Sequence, residues 1–394
     1  MVKSYSIVVD EVDDAELALE QLNAQMPKIK LLKNSVGIAS VHPEYIRSDV
    51  YSAIAKAVPF PLVGMTTILQ TASGKTGTFL FSILVLTSDT CKFAHGESDK
   101  IPLKGGDTIE ITQKCYKDIC SRLEGDVKLA FLFTPFMEYQ SVHKYIEAIS
   151  IADKRAPVFG SVANADMESL LADQKTVYCE HIFNDRLVML LISGDISPEF
   201  YIGSVTKESV MMPNIGEVTA AKDNFVTEIN NMNVGNFLEK IGFSAGDVRN
   251  QGVLTSVFII DEKDKNGNVV SSTSRSLIML DKEVAAFGGN IAVGSTLSLA
   301  TVTKDVVMAT AKDVVAVIKR KYKNRTILMF SCVGRRYSLL DEPKKEYELL
   351  EKEFSNSDFC YLASCSCGEI CPTSVTETGV YNSEHNQSLV ACII

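Results

Sequence analysis

The sequence predicts a mixed α/β chain, two halves (1–210 and 211–394) built from repeated β-α-β units whose mixed sheets are flanked by helices. Three observations carry that prediction. Short apolar runs alternate with stretches in which apolar residues fall three and four apart, the periods of strand and helix. The alternation repeats: residues 36–41 lead through a helical stretch to 61–67, residues 129–134 to 157–163, and residues 326–332 to 359–370. Each copy is then followed by another strand-like run, at 78–87, 188–193 and 388–394. Self-similarity of this kind decides the architecture. The first and third copies align in detail, since Gly64-Met-Thr-Thr67-Ile-Leu-Gln70 overlays Ala363-Ser-Cys-Ser366-Cys-Gly-Glu369. In a parallel arrangement, the loops after neighbouring strands open on one side and line one crevice, which would bring Arg335, Arg336 and Glu369 together.

Taken in order, residues 6–9 read as a strand and 14–26 as a helix. Gly74-Lys75-Thr76 suggests a phosphate loop, but Leu69 stands where the first glycine is needed and a strand follows, so residues 70–77 read as a hairpin. His95-Gly-Glu97 matches half of a zinc-deaminase signature with no Pro-Cys-x-x-Cys to complete it, and reads as a surface loop. Helices are expected at 107–123 and 142–152. Asp166 and Glu168 are site candidates or, more ordinarily, a helix start. The domain junction is placed within 203–252, where 218–221 and 225–229 form a hairpin and 237–241 a short helix. Strands at 255–261 and 276–280 flank a tight Asn-Gly turn. A strand at 295–302 and helices at 306–318 and 342–354 then build the third copy. No low-complexity linker separates the halves, so they should pack together.

Composition narrows the function. A chain of 394 residues with 46% hydrophobic side chains has material for more than one core. A net charge of −10, with no long basic face, argues against nucleic acid. The one basic run, 319–325, follows the helical stretch 306–318 and complements a helix carboxyl end. No secretory signal precedes Asp10, so a cytoplasmic location is expected. The apolar run 79–86 is far shorter than the about twenty residues of a membrane helix, so no membrane partner is expected. Ten cysteines in a chain this long read as reduced, buried side chains.

Several short motifs resemble one family. Phe330-Ser-Cys332-Val-Gly-Arg335 and Ala363-Ser-Cys-Ser366-Cys-Gly368-Glu369, followed by His385-Asn386-Gln-Ser388, resemble the carboxyl-terminal motifs of FIST domain proteins. Gly64-Met-Thr66-Thr67 resembles their Gly-x-Ser-Thr motif, Gly160-Ser161-Val-Ala163 their Gly-Gly-x-Ala motif, and residues 218–229 their central segment. The resemblance spans nearly the whole chain. It departs from the pattern at Leu69-Gln70, where Gly-Glu is usual, and at Ala363, where glycine is usual. It implies a FIST N-like domain over 1–210 and a FIST C-like domain over 211–394. The implied role is a sensory module of bacterial and archaeal signalling that binds small molecules such as amino acids. Relatives are often fused to a kinase, cyclase or chemotaxis output. No such output is visible here, so a separate partner is expected to carry the signal.

For an amino acid, the chemistry calls for a guanidinium on the carboxylate and a carboxylate on the ammonium. Arg335 or Arg336 would fill the first role and Glu369 the second. Ser366, Gly368, Thr66, Thr67, Gly160, Ser161 and Asn386 would complete the site. The alternative is an Arg335–Glu369 ion pair joining two strand ends. Cys360, Cys365, Cys367 and Cys371 lack a zinc or iron–sulfur spacing, so no metal is expected. No cofactor is expected either. Some FIST-like proteins resemble haem-based nitric oxide sensors, and His42, His95, His143, His181 and His385 are the axial candidates for that alternative. No enzyme motif is complete. A Cys332 nucleophile is the one enzymatic alternative, against a buried inert thiol.

Overall fold

One structural unit is used three times. In the computed structural model, which describes residues 2–102, 106–137, 140–205, 207–244, 256–263, 266–355, 357–376 and 379–394, each copy runs strand, helix, strand, helix, strand, hairpin, strand. The first comprises β1 (Lys3–Val9), helix Ala15–Gln25, β2 (Asn34–Val41), helix Val50–Ala57, β3 (Leu62–Thr66), the hairpin of β4 (Gln70–Ala72) and β5 (Lys75–Gly77), and β6 (Phe81–Ser88). The second comprises β7 (Lys92–Glu97), helix Thr108–Cys120, β8 (Val127–Thr134), helix His143–Ala152, β9 (Val158–Val162), the hairpin of β10 (Thr176–Tyr178) and β11 (His181–Phe183), and β12 (Val188–Ser193).

The third copy opens with β13 (Glu199–Gly203) and is interrupted by an antiparallel insert. The insert holds β14 (Val210–Lys222), β15 (Phe225–Ile229), β16 (Met232–Asn233), β17 (Ser256–Lys263), β18 (Val269–Leu280), β19 (Ala285–Phe287) and β20 (Thr296–Thr301). Pairing of β14 with β15 closes this sheet on itself, which removes exposed edges. The copy resumes with helix Lys304–Lys321, β21 (Thr326–Cys332), helix Lys345–Phe354, β22 (Cys360–Ser366), the hairpin of β23 (Glu369–Thr376) and β24 (Gly379–His385), and β25 (Leu389–Ile393).

Three six-stranded sheets result, ordered β1-β6-β2-β3-β10-β11, β7-β12-β8-β9-β23-β24 and β13-β25-β21-β22-β4-β5. The pairs β2–β3, β8–β9 and β21–β22 are parallel and the other pairings antiparallel, so the sheets are mixed. Each sheet ends in the hairpin of another copy. The first receives the second copy's hairpin, the second the third's, and the third the first's. The exchange is cyclic and runs both ways across residue 210, with β13 pairing β25 and β23 pairing β9.

The inner faces of all three sheets share one core, in which Val63, Met65, Phe131, Phe133, Phe159, Leu328 and Phe330 are buried together. Phe330 stacks on Phe159 at 5.4 Å and meets Phe133 edge-on at 6.2 Å. Helices cover the outer faces through Tyr51 and Ile54, through Ile119 and Ile146, and through Val315 and Leu350. Burial on both faces is why these strands read as nearly unbroken apolar runs.

The phosphate-loop look-alike is the hairpin of β4 and β5, turning through Ser73 and Gly74 in left-handed conformations. Two local expectations are corrected. His95-Gly-Glu97 lies in β7, not in a loop, because Ala94 and Gly96 face inward and pair with Leu191 and Met189. Arg335 and Arg336 lie in a short helix, Val333–Ser338, rather than in a polar loop.

Gly64 and Gly160 occupy equivalent positions. A Cβ would lie 2.0 Å from the Ala39 carbonyl oxygen at Gly64, and 1.8 Å from that of Leu132 at Gly160. Backbone in a parallel pair cannot retreat from such contact. Gly160→Ala is therefore expected to cost about 3 kcal/mol, read as a lower midpoint of chemical denaturation. A midpoint equal to the parent's would show the strands free to part.

Candidate functional site

The ends of the three parallel strand pairs meet in a buried polar node. Thr67 donates to the Cys365 carbonyl at 2.8 Å, Ser161 donates to Ser366 Oγ at 2.7 Å, and the Asn164 amide donates to the Thr66 carbonyl at 2.9 Å. Ser366 in turn donates to the Gly368 carbonyl at 2.6 Å. Ser40 and Ser364 join the first and third sheets at 2.6 Å. The Asn164 carboxamide holds two thiols, donating to Cys365 Sγ at 3.3 Å and accepting from Cys367 at 3.0 Å. Thr66, Thr67, Ser161, Ser366 and Glu369 are all fully buried. Of the hydroxyls that were candidates for a ligand, Ser161 and Ser366 thus bond to each other, Thr67 bonds the Cys365 carbonyl and Thr66 the Lys175 backbone, each across two copies.

Glu369 begins β23 opposite Ser161. Its Oε2 accepts from Ser388 Oγ at 2.7 Å, and its Oε1 has no hydrogen-bond partner among the described residues. Burial pushes its carboxyl up to about 8, so it is mostly uncharged at neutral pH. Burial, with Glu369 beside it, raises the Cys332 thiol far above its ordinary range.

Arg335 is not paired with Glu369, which corrects that reading. The turn of helix Val333–Ser338 carries its guanidinium to Glu346, with Nη2 and Nε at 2.5 and 3.1 Å from Oε1. Nη2 also donates to the Val307 carbonyl and to Thr310 Oγ1, while Glu346 Oε2 accepts from Ser331. Both charged side chains are completely buried. Arg336 is half-buried, its guanidinium 5.9 Å from the Tyr337 ring centre and its Nε without a partner.

Open space lies beside the node, at Gly368. There the loop before helix His143–Ala152, the insert and the third copy's hairpin enclose a crevice with about 30 Å³ of water-accessible volume. Its walls include Met137, Ser141, Asn224, Phe287, Glu384 and Asn386. Asn224 Nδ2 donates to the Phe287 carbonyl at 3.0 Å, but its Oδ1 has no partner among the described residues. Glu384 Oε2 accepts from Ser141 Oγ at 2.8 Å. Asn386 accepts from the Ser276 amide at 3.1 Å. The Gly288-Gly289 pair is required by this packing, since a Cβ would lie 2.1 Å from Asn386 Oδ1 at Gly288 and 2.5 Å from Arg275 Nε at Gly289.

Of the residues singled out from sequence, Gly368 and Asn386 line the crevice. Thr66, Thr67, Ser161, Ser366 and Glu369 form the node, with Gly160 in the strand pairing beside it, and Arg335 lies apart with Glu346. Glu384 and Arg275 were missed, and Asn224 was noticed only within the FIST-like central segment. The one usable signal was the Phe287-Gly-Gly-Asn290 run, which marks close backbone packing. Among the described residues, no three His, Cys, Asp or Glu side chains are placed to hold a metal.

Two family models match the chain. The FIST N domain matches residues 35–232 and the FIST C domain matches residues 247–372. The chain belongs to the FIST family. FIST domains are sensory, ligand-binding modules of signalling proteins. The crevice in this FIST protein is walled by residues of both matched segments, Ser141 and Asn224 from the first and Phe287 and Gly368 from the second. No curated protein matches the chain. A cyanuric acid hydrolase from A. caulinodans aligns at 8% identity over 100% of this chain and 99% of that chain, with a TM-score of 0.36. A likeness that weak carries no argument here. Among the described residues, no helix is long and apolar enough to cross a membrane.

Proposed function

We propose that this FIST protein is a cytoplasmic sensor that binds a small polar ligand in the crevice beside Gly368 and Asn386, without transforming it, and passes the signal to a kinase or cyclase in a separate chain. The observation that carries the reading is Asn224. Its side chain lines the crevice, is 3% exposed, and leaves a carboxamide oxygen without a partner. An unpaired buried acceptor costs about 1–3 kcal/mol, which a ligand's hydrogen-bond donor would offset. The walls come from segments distant in sequence, so a bound ligand would tie the insert to the three-sheet body. That coupling is a physical route from binding to output. Free thiols throughout, ten in all, favour a reducing compartment.

Binding without chemistry is supported by Cys332, whose thiol burial keeps from ionising. Against haem, three of the five histidines have ring nitrogens engaged. His42 Nδ1 accepts from the Glu44 amide, His95 Nδ1 meets Tyr178 Oη, and His385 Nε2 meets the Cys371 carbonyl. An amino acid stays among the ligands to be tried.

The test is calorimetry on the whole chain with amino acids, amines and other small polar metabolites, repeated on Gly368→Val. A Cβ at Gly368 meets only Val162, at 3.2 Å, so the variant should fold while its side chain narrows the crevice. A compound that binds the parent is expected to lose at least about tenfold in affinity, ~1.4 kcal/mol. Undiminished binding to the variant would place the ligand elsewhere. No binding by any member of the panel would overturn the sensor reading.

A further inference from the structure

The crevice walls also indicate the chemistry of their guest, an inference that rests on the binding reading above. We propose that the crevice takes the ammonium end of a primary amine, held by the Glu384 carboxylate and the Asn224 carboxamide oxygen.

Glu384 is only 4% exposed. Its carboxylate accepts from the neutral Ser141 hydroxyl, and among the described residues no ion pair reaches it. Arg275 lies nearby, yet its Nη1 donates to the backbone carbonyls of Ser274 and Glu384 and not to the carboxylate. Buried carboxylates are normally paired in direct contact, because desolvating a lone charge costs several kcal/mol. Burial pushes the Glu384 carboxyl up while Arg275 beside it draws it down; a ligand cation in direct contact would hold it charged.

Asn224 Oδ1 is a second, independent acceptor on the same wall, buried and without a partner. An ammonium has three donors and no acceptor, so it suits a wall that offers acceptors. The lining contains no lysine, arginine or histidine, so a ligand carboxylate would find no cation and would face Glu384 instead. That sets amines above amino acids for this crevice. Phe136 and Phe287 add aromatic surface, favourable to a cation and to the alkyl carbons behind it. A volume of 30 Å³ is roughly two to three times the minimum for one water. It accommodates the ammonium group and its first carbon, with the rest of the molecule leading outward.

The test compares n-butylamine, n-butanol and butyrate as probes, by calorimetry on the full chain at neutral pH. Butylamine is expected to bind at least tenfold more tightly than the other two. Glu384→Gln should weaken butylamine at least tenfold. Asn224→Ala, which leaves the carboxylate in place, should weaken it several-fold and guards against misfolding of the first variant. Butyrate or butanol binding as tightly as butylamine would overturn the amine assignment. Both variants binding butylamine like the parent would do the same. If none of the three probes binds, the amine assignment falls, and the wider metabolite panel with Gly368→Val then decides separately whether the crevice reading stands.

Discussion

Arg335→Met is expected to lower stability by about 3–5 kcal/mol, the usual consequence of removing one partner from a buried ion pair. Arg335 and Glu346 are both sealed from solvent, and the guanidinium joins helix Lys304–Lys321 to helix Lys345–Phe354 through Val307, Thr310 and Glu346. Without it, Glu346 keeps only the Ser331 hydroxyl. The double variant Arg335→Met/Glu346→Met should recover most of the loss, because the stranded carboxylate goes with its partner and two apolar side chains fill the space. Midpoints of urea unfolding at unchanged slope measure both effects. If Arg335→Met kept the parent's stability and lost only ligand binding, the side chain would be a ligand contact, as the sequence first suggested, and not a strut between helices.

Stability is also expected to fall as pH rises from about 6.5 to 8, and Glu369 is the cause. Its carboxyl titrates at about 8 in the folded chain against an ordinary value of 4.5. Over that window the unfolded chain has released the proton while the folded chain keeps it. The contribution is complete below 4.5 and lost as pH climbs through 8, by at most about 1.4 kcal/mol per pH unit. His385 acts in the opposite direction. Burial holds it down to about 4 against an ordinary 6.5, so stability falls as pH drops from 6.5 to 4. Together they place the optimum between about pH 4.5 and 6.5. The buried thiols of Cys332 and Cys365, both raised above 9, add losses only at higher pH. Glu369→Gln should abolish the alkaline decline and be the more stable protein at pH 8. Parallel decline of parent and variant would assign the loss to another group.

Much of the fold was legible because its signals are local. Periods of two and 3.6 are set by neighbours in sequence, so the helices at Ala15–Gln25, Thr108–Cys120, His143–Ala152, Lys304–Lys321 and Lys345–Phe354 agree closely with the stretches read from the chain. So do the closing strands β6, β12 and β25. The hairpin exchange was not legible. β4 and β10 are three residues each, too short for any period, and nothing in them names the foreign sheet each completes. Charge was legible and direction was not. The sequence offered Glu369 as the partner of Arg335, and only the short helix at Val333–Ser338 turned it to Glu346 instead. Glu384 and Asn224 were not singled out as site residues, because burial imposed by a distant part of the chain leaves no local trace.

By itself, then, the sequence determined the repeating α/β unit, its three occurrences and part of the set of residues whose tips converge. Only the tertiary structure decided that those tips are spent on hydrogen bonds within the protein, and that a small crevice opens beside them at Gly368. The physical reason is that periodicity is a property of adjacent residues. The partner of a hydrogen bond or of a buried charge is chosen by distance in space, between groups that may lie some two hundred residues apart, as Ser161 and Ser366 do.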